Sequence, residues 1–254
     1  VRPGDLPYFA PARPRVFAHR GFALEAPENT LLAFAHALAL GVTHLETDVH
    51  ASADGVAVIA HDPVLDRVAG QQGRVEALTV HELAKLNLGD DQHMPTLAEA
   101  LEAFPEARFN IDLKVSEAVV PAVKAIREAG AQDRVLLTSF SESRRRRAVS
   151  LLPGVATSAS GARFAAALVA SVVRGGPAVR SALRGLHAVQ IPVRALGFTT
   201  VTPARIRAFH AAGVEVHVWT INDATQMREL LALGVDGLVT DRADLALEVL
   251  STLN

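Results

Sequence analysis

Two stretches of this sequence put carboxylates where a buried strand would carry apolar side chains. In "THLETDVH" (43–50) successive side chains alternate between faces, so Leu45, Thr47 and Val49 share one side while Glu46 and Asp48 share the other. In "RFNIDLK" (108–114) Phe109, Ile111 and Leu113 oppose Asn110, Asp112 and Lys114. If the apolar sets pack outward on helices, three carboxylates point into one cavity, and buried carboxylates without partners are costly. Two arrangements relieve that cost. One is a divalent cation, for which an all-oxygen donor set suits Mg²⁺ or Ca²⁺ better than Zn²⁺. The other is an internal salt-bridge network with Lys114 and Arg20. The alternation by itself leaves both open.

Two histidines follow short apolar runs, His19 after "RVFA" and His61 after "VAVIA". A pair of imidazoles near neutral pH offers one base for an attacking group and one acid for a departing alkoxide. Taken singly, each is more often structural. Arg20 adds a planar guanidinium whose fork matches phosphate oxygens, and the same fork could pair a carboxylate. His36, His81 and His210 fall in helical stretches and are read as ordinary; His44 and His217 fall on strands and are read as inward or core residues. The run Arg144–Arg147 wraps a full helical turn, so its members cannot share one ligand. It is read as a solvated helix, with contact to anionic lipid or a polyanion as the other reading. Phe22, Phe198 and Trp219 could form an apolar rim or belong to the core.

The elements that would position these groups alternate along the chain. Strands are predicted at Val16–Ala18, Thr43–His50, Val56–Ala60, Arg108–Lys114, Arg134–Ser139, Val155–Ser158, Ala188–Pro192, Val214–Thr220 and Gly237–Thr240. Helices are predicted at Glu28–Leu40, Glu117–Ala129, Ser141–Leu152, Arg163–Val173, Pro203–Ala212, Ala224–Leu233 and Ala243–Leu250. "LALGVTHLE", "HAAGVEVHVW" and "LALGVDGLV" repeat one pattern of helix, glycine and valine-bearing strand, the rhythm of a parallel sheet. Setting Val56–Ala60 aside, eight strands remain, the count of a closed (β/α)₈ barrel. An open doubly wound sheet is the rival, but "HRGFALEAPEN" after the first strand has one glycine and no dinucleotide fingerprint. The prediction is one domain over residues 1–254, with an insertion at about 62–105 carrying only short helical stretches. The first 14 residues hold four prolines and read as an irregular lead-in.

Composition bounds the rest. Half of the 254 residues are hydrophobic and 20% are charged, which excludes a disordered chain. A net charge of −2 without a long basic tract argues against a nucleic-acid partner. No apolar run is long enough to span a membrane. The absence of cysteine rules out disulfides and suits a cytoplasmic protein. A leader removed ahead of Val1 would leave export open.

In this context the motifs form an ordered set. "HRGFALEAPENTLLAF" resembles the opening signature of the glycerophosphodiester phosphodiesterases, HRG followed by PENT and an apolar helix. "LETDVHASADGVAVIAHDPVLDR", "MPTLAEAL", "NIDLK", "VHVWTIND" and "DGLVTD" are similar to the later signatures of the same family, in order, from residue 16 to 241. The resemblance implies a (β/α)₈ barrel with the insertion after the second strand. It implies one divalent cation, Mg²⁺ or Ca²⁺, on Glu46, Asp48 and Asp112, and an acid–base pair of His19 and His61 whose individual roles stay open. Arg20, Glu28 and Asn29 would line the phosphate and metal end. Lys114 would face the phosphate, and Trp219 would wall the pocket beside the substrate alcohol. The substrate would be a small glycerophosphodiester, cleaved to glycerol 3-phosphate and an alcohol such as choline or ethanolamine. Asp112 departs from the pattern, since the family usually has Glu there; the shorter side chain leaves room for the ion to shift or gain a water. A lysolipid-cleaving lyase on the same fold and a binding protein with a decayed site are the competing readings. The full set of His19, Arg20, Glu46, Asp48, His61 and Lys114 argues against decay.

Overall fold

The computed structural model describes residues 2–173, 175–195 and 197–252. Eleven strands occur among them: β1 Arg15–His19, β2 His44–Ala51, β3 Ala57–Ile59, β4 Arg108–Leu113, β5 Val135–Thr138, β6 Ala156–Thr157, β7 Ala188–Pro192, β8 Arg194–Ala195, β9 Phe198–Thr199, β10 Glu215–Trp219 and β11 Gly237–Thr240. Eight of them pair in parallel in the order β6-β5-β4-β2-β1-β11-β10-β7. The ends meet at a parallel bridge between Ser158 and Ala188. Two backbone bonds reinforce it, Ala159 N–H to the Ala188 carbonyl and His187 N–H to the Thr157 carbonyl, both 2.9 Å. The result is the expected (β/α)₈ barrel. Gly41, Gly213 and Gly234, the glycines of the repeated pattern, follow helix C-termini with positive φ, which relieves the last carbonyls at no steric cost.

The apolar core lies between sheet and helices, where Leu45, Val49, Phe109, Ile111 and Leu113 are buried against residues of the surrounding helices. The inside of the barrel holds a separate, smaller apolar set of Phe17, Leu136, Ala156, Ala188 and Val239. The proline-rich lead-in completes that set rather than trailing away. Its two 3₁₀ turns, Pro3–Asp5 and Pro7–Phe9, bury Tyr8 and Phe9 against the N-terminal ends of the strands. Arg15 ties this plug down, donating to the Phe9 carbonyl at 2.5 Å and to Glu215 at 2.8 Å. His44 and His217 are fully buried in the same region, packed on Phe17.

Residues 62–105 divide between two roles. Val58, Ala60, Leu65, Val75, Leu83 and Met94 form a small core of their own, with β3 pairing antiparallel to β2. Leu97–Ala103 instead buries Leu97, Ala100 and Leu101 in the main core and packs on the helix Val119–Glu128, as a barrel helix does. Elements absent from the sequence-based expectation include the short helix Asp66–Ala69, the helix Gly176–Ala182 and the hairpin of β8 with β9. Pro177 lies in the first turn of the helix Gly176–Ala182, where a missing N–H is harmless.

Phe22 is a core residue, while Phe198 stands exposed on the hairpin. The arginine run is not uniformly solvated. Arg145 is buried and pairs bidentately with Glu142, both contacts at 2.8 Å. Arg144 turns back to the Leu113 carbonyl and Ser139, and Arg146 and Arg147 alone face solvent. A single helical turn here spans core-facing and exposed directions, so the expected solvated helix holds for Arg146 and Arg147 and fails for Arg144 and Arg145.

Candidate active site

The C-terminal ends of the barrel strands bring the chemistry together, because period-two alternation and register act jointly. His19, at the end of β1, lies in register with Glu46 on β2. Glu46 and Asp48 in turn stand opposite Asn110 and Asp112 of β4. These side chains line one cavity of about 470 Å³, with Arg20, His61 and Lys114 beside them. Across the cavity the wall is apolar, built from Phe140, Phe164, Pro192 and Trp219. The Phe140 and Trp219 rings meet edge to face at 6.3 Å.

The loop after β1 explains the position of Arg20. Arg20 and Asn29 have φ of 56° and 58°, and Gly21 has φ of 85°. A Cβ at Gly21 would lie 2.7 Å from the Ala33 backbone, so the loop can press against the first helix only with glycine there. Thr30 caps that helix by accepting from Ala33 N–H at 3.2 Å, which starts the helix at Leu31 and leaves Glu28 and Asn29 in the loop. Both lie behind the cavity lining. Asn29 accepts from Thr47 at 2.7 Å and donates to Asp48 at 3.4 Å. Glu28 accepts from Arg20 at 3.1 Å and from Arg67 at 2.6 and 2.8 Å.

Each candidate histidine leans on a carboxylate that the sequence reading did not single out. His19 Nδ1 lies 2.7 Å from Asp241 Oδ1, and Asn222 donates to the other Asp241 oxygen at 2.7 Å. His61 Nδ1 lies 2.7 Å from Asp62 Oδ1, and Arg67 donates to Asp62 Oδ2 at 2.6 Å. In both rings this sets the tautomer and leaves Nε2 as the reactive nitrogen. Asp62 was visible as the neighbour of His61. Asp241 becomes a neighbour of His19 only where β11 pairs with β1.

Electrostatics mark the same residues. Burial, and then the charge of Asp48, raise the Glu46 pKa to about 8. Burial also raises Asp112, against the pull of Lys114. Burial disfavours charge on His19, but the Asp241 bond and the Glu46 charge outweigh it and raise its pKa. Lys114 Nζ lies 2.7 Å from Asp48 and 2.9 Å from Asp112, and these partners keep it charged against desolvation.

The donors at this end of the cavity are oxygens, the kind a hard cation takes. Asp112 Oδ1 and Asn110 Oδ1 are buried without a hydrogen-bond partner among the described residues, and an oxygen cluster of this kind is relieved by a metal ion. Lys114 bridges Asp48 and Asp112, and no group of three His, Asp or Glu side chains placed to hold a metal ion occurs among the described residues. The ion-pair network and the cation would draw on the same atoms.

Comparison with known proteins places the chain in a family. Residues 19–245 match the model of the glycerophosphoryl diester phosphodiesterase family. The chain is 45% identical to a Mycobacterium tuberculosis protein named "Probable glycerophosphodiester phosphodiesterase 2", over 92% of this chain and 89% of that protein. Its fold is similar to the crystal structure of a glycerophosphodiester phosphodiesterase from Agrobacterium tumefaciens, with TM-score 0.77, 29% identity, and 93% and 99% of the two chains covered. It is also similar to an Oleispira antarctica phosphodiesterase solved with the product sn-glycerol-3-phosphate, with TM-score 0.79, 26% identity, and coverage of 94% and 97%.

Proposed function

The chain belongs to the glycerophosphoryl diester phosphodiesterase family, and from that premise we propose that it hydrolyses glycerophosphodiesters to sn-glycerol 3-phosphate and an alcohol using a divalent cation and histidine acid–base catalysis. The supporting observation is the arrangement in one cavity. Two carboxylate-backed histidines line the same cavity as Glu46, Asp48 and Asp112, and Arg20 and Lys114 both pair with Asp48 there.

Glu46, Asp48 and Asp112 would hold the cation, Mg²⁺ or Ca²⁺, which when bound draws charge from the non-bridging phosphate oxygens. Arg20 and Lys114 bind the phosphate's negative charge from the protein side. Asp241 and Asp62 orient the two imidazoles, and Asp241 stabilises His19 when protonated. One Nε2 takes the proton of the attacking water or of the glycerol 2-hydroxyl. The other gives a proton to the leaving alkoxide, which is otherwise a poor leaving group. Glu28 and Asn29 act through Arg20 and Asp48, whose positions they fix. Trp219, Phe140 and Phe164 flank the alcohol.

Release of glycerol 3-phosphate from glycerophosphocholine, with and without chelator, tests this. Activity should vanish in chelator and return with Mg²⁺ or Ca²⁺. Full turnover in chelator would leave the carboxylates as a structural network.

A further inference from the structure

The helix Gly161–Val173 begins at the cavity and exposes an apolar face that nothing in the proposed chemistry uses. Gly161, Phe164 and Ala165 line the cavity. Ala167, Leu168 and Ala170 pack into the core. At 100° per residue, Gly161, Ala162, Ala165, Ala166, Val169, Val172 and Val173 fall within one arc of about 140° on the opposite side. Val169, Val172 and Val173 are 56%, 57% and 72% exposed. A solvent-facing helix ordinarily carries charge on this side. The one charged residue of this helix, Arg163, turns away to Glu142 and to the carbonyls of Ala182 and Arg184. Phe140, 67% exposed, extends the apolar surface at the cavity mouth.

Charge supplies the identity of the occupant. Residues 141–187 hold eight arginines and one acid, a balance of +7 in a chain whose total is −2. That acid, Glu142, is already bound by Arg145 and Arg163. The helices Glu142–Leu151 and Gly176–Ala182, both in contact with Gly161–Val173, bear the exposed Arg146, Arg147 and Arg180. An apolar helix face flanked by arginine is the pattern of an interfacial helix on anionic lipid. A nucleic acid would not reward exposed valines, and a purely apolar protein partner would not reward the arginines.

We propose that this face rests on an anionic lipid surface, with Val169, Val172 and Val173 in the headgroup boundary and the cavity mouth opening toward the membrane. Docking through this face is separable from the chemistry of the site.

The full chain is sedimented with vesicles of phosphatidylglycerol mixed with phosphatidylcholine, and with phosphatidylcholine alone, at about 0.1 M salt. The wild type should bind the anionic vesicles and bind neutral ones more weakly. The double variant Val169→Asp with Val173→Asp should lose about tenfold or more in vesicle affinity while hydrolysing a soluble glycerophosphodiester at the wild-type rate. Arg146→Glu with Arg180→Glu should weaken binding to the anionic vesicles independently of the valines. The proposal is overturned if the wild type ignores anionic vesicles or if the valine variant binds equally well. It is also overturned if the wild type forms a concentration-dependent dimer that the valine variant abolishes, since a second copy would then be the occupant.

Discussion

His19 and Asp241 are 222 residues apart in sequence and 2.7 Å apart in the fold, so the imidazole's behaviour is a property of the pair. Asp241→Asn removes the carboxylate that raises the His19 pKa and can turn the ring to the wrong tautomer. The expected outcome is a fall in kcat of about 10²-fold or more, with the fold intact. The limb of the pH–rate profile that reports His19 should move to lower pH, because the lost partner favoured the protonated ring. A rate and profile matching wild type would remove Asp241 from the mechanism; His19→Ala and His61→Ala give the floor, about 10²–10⁴-fold down. Asp112 poses a different question. Asp112→Asn should weaken binding of Mg²⁺ or Ca²⁺ in calorimetric titration, with activity partly rescued by excess metal. Asp112→Glu restores the residue usual in the family and should keep activity, with altered ion preference. Equal metal affinity in wild type and Asp112→Asn would take Asp112 out of the ligand set.

Among the elements, the helix Glu142–Leu151 shows how one turn can hold opposite roles. Arg145 is 5% exposed against Glu142, whereas Arg146 faces water. Arg145→Glu should therefore destabilise the protein by about 3 kcal/mol or more, since it buries two like charges. Arg146→Glu should stay within about 0.5 kcal/mol of wild type in urea unfolding. Equal stability of the two variants would show Arg145 to be no more constrained than its neighbour. The Arg145 bond, with help from Ser160 and Arg163, holds the Glu142 pKa down at about 2. A carboxylate depressed on folding contributes stability that is full above its unfolded pKa, about 4.5, and declines as pH falls toward 2. Arg145→Met should flatten that part of the acid-unfolding curve. The helix was legible from "SESRRRRAVS", but its Ser141 cap and its facing were not. Four identical residues carry no periodicity from which a buried side can be read.

The whole molecule separates its functions between the two ends of the barrel. Tyr8 and Phe9 seal the N-terminal end of the strands, and the acid–base residues sit at the other. Phe9→Ala should lower unfolding stability by about 3–5 kcal/mol yet leave KM unchanged, as measured by denaturant titration and steady-state kinetics. A large KM change with stability intact would place the lead-in near substrate. What the sequence determined here is what short-range pattern can encode. Alternation set which faces of β2 and β4 carry carboxylates, the helix–glycine–strand repeat set the parallel rhythm, and ordered motifs set the family. Tertiary structure decided what depends on closure and register. Pairing β11 with β1 made Asp241 the partner of His19, and aligning β2 with β4 set Asp48 beside Asp112. Closing the barrel turned a proline-rich lead-in into a buried plug, and the packing of Gly161–Val173 left its valines in water. The physical reason is common to all four. Each follows from packing between residues distant in sequence, and local alternation fixes the direction of a side chain without naming what it meets.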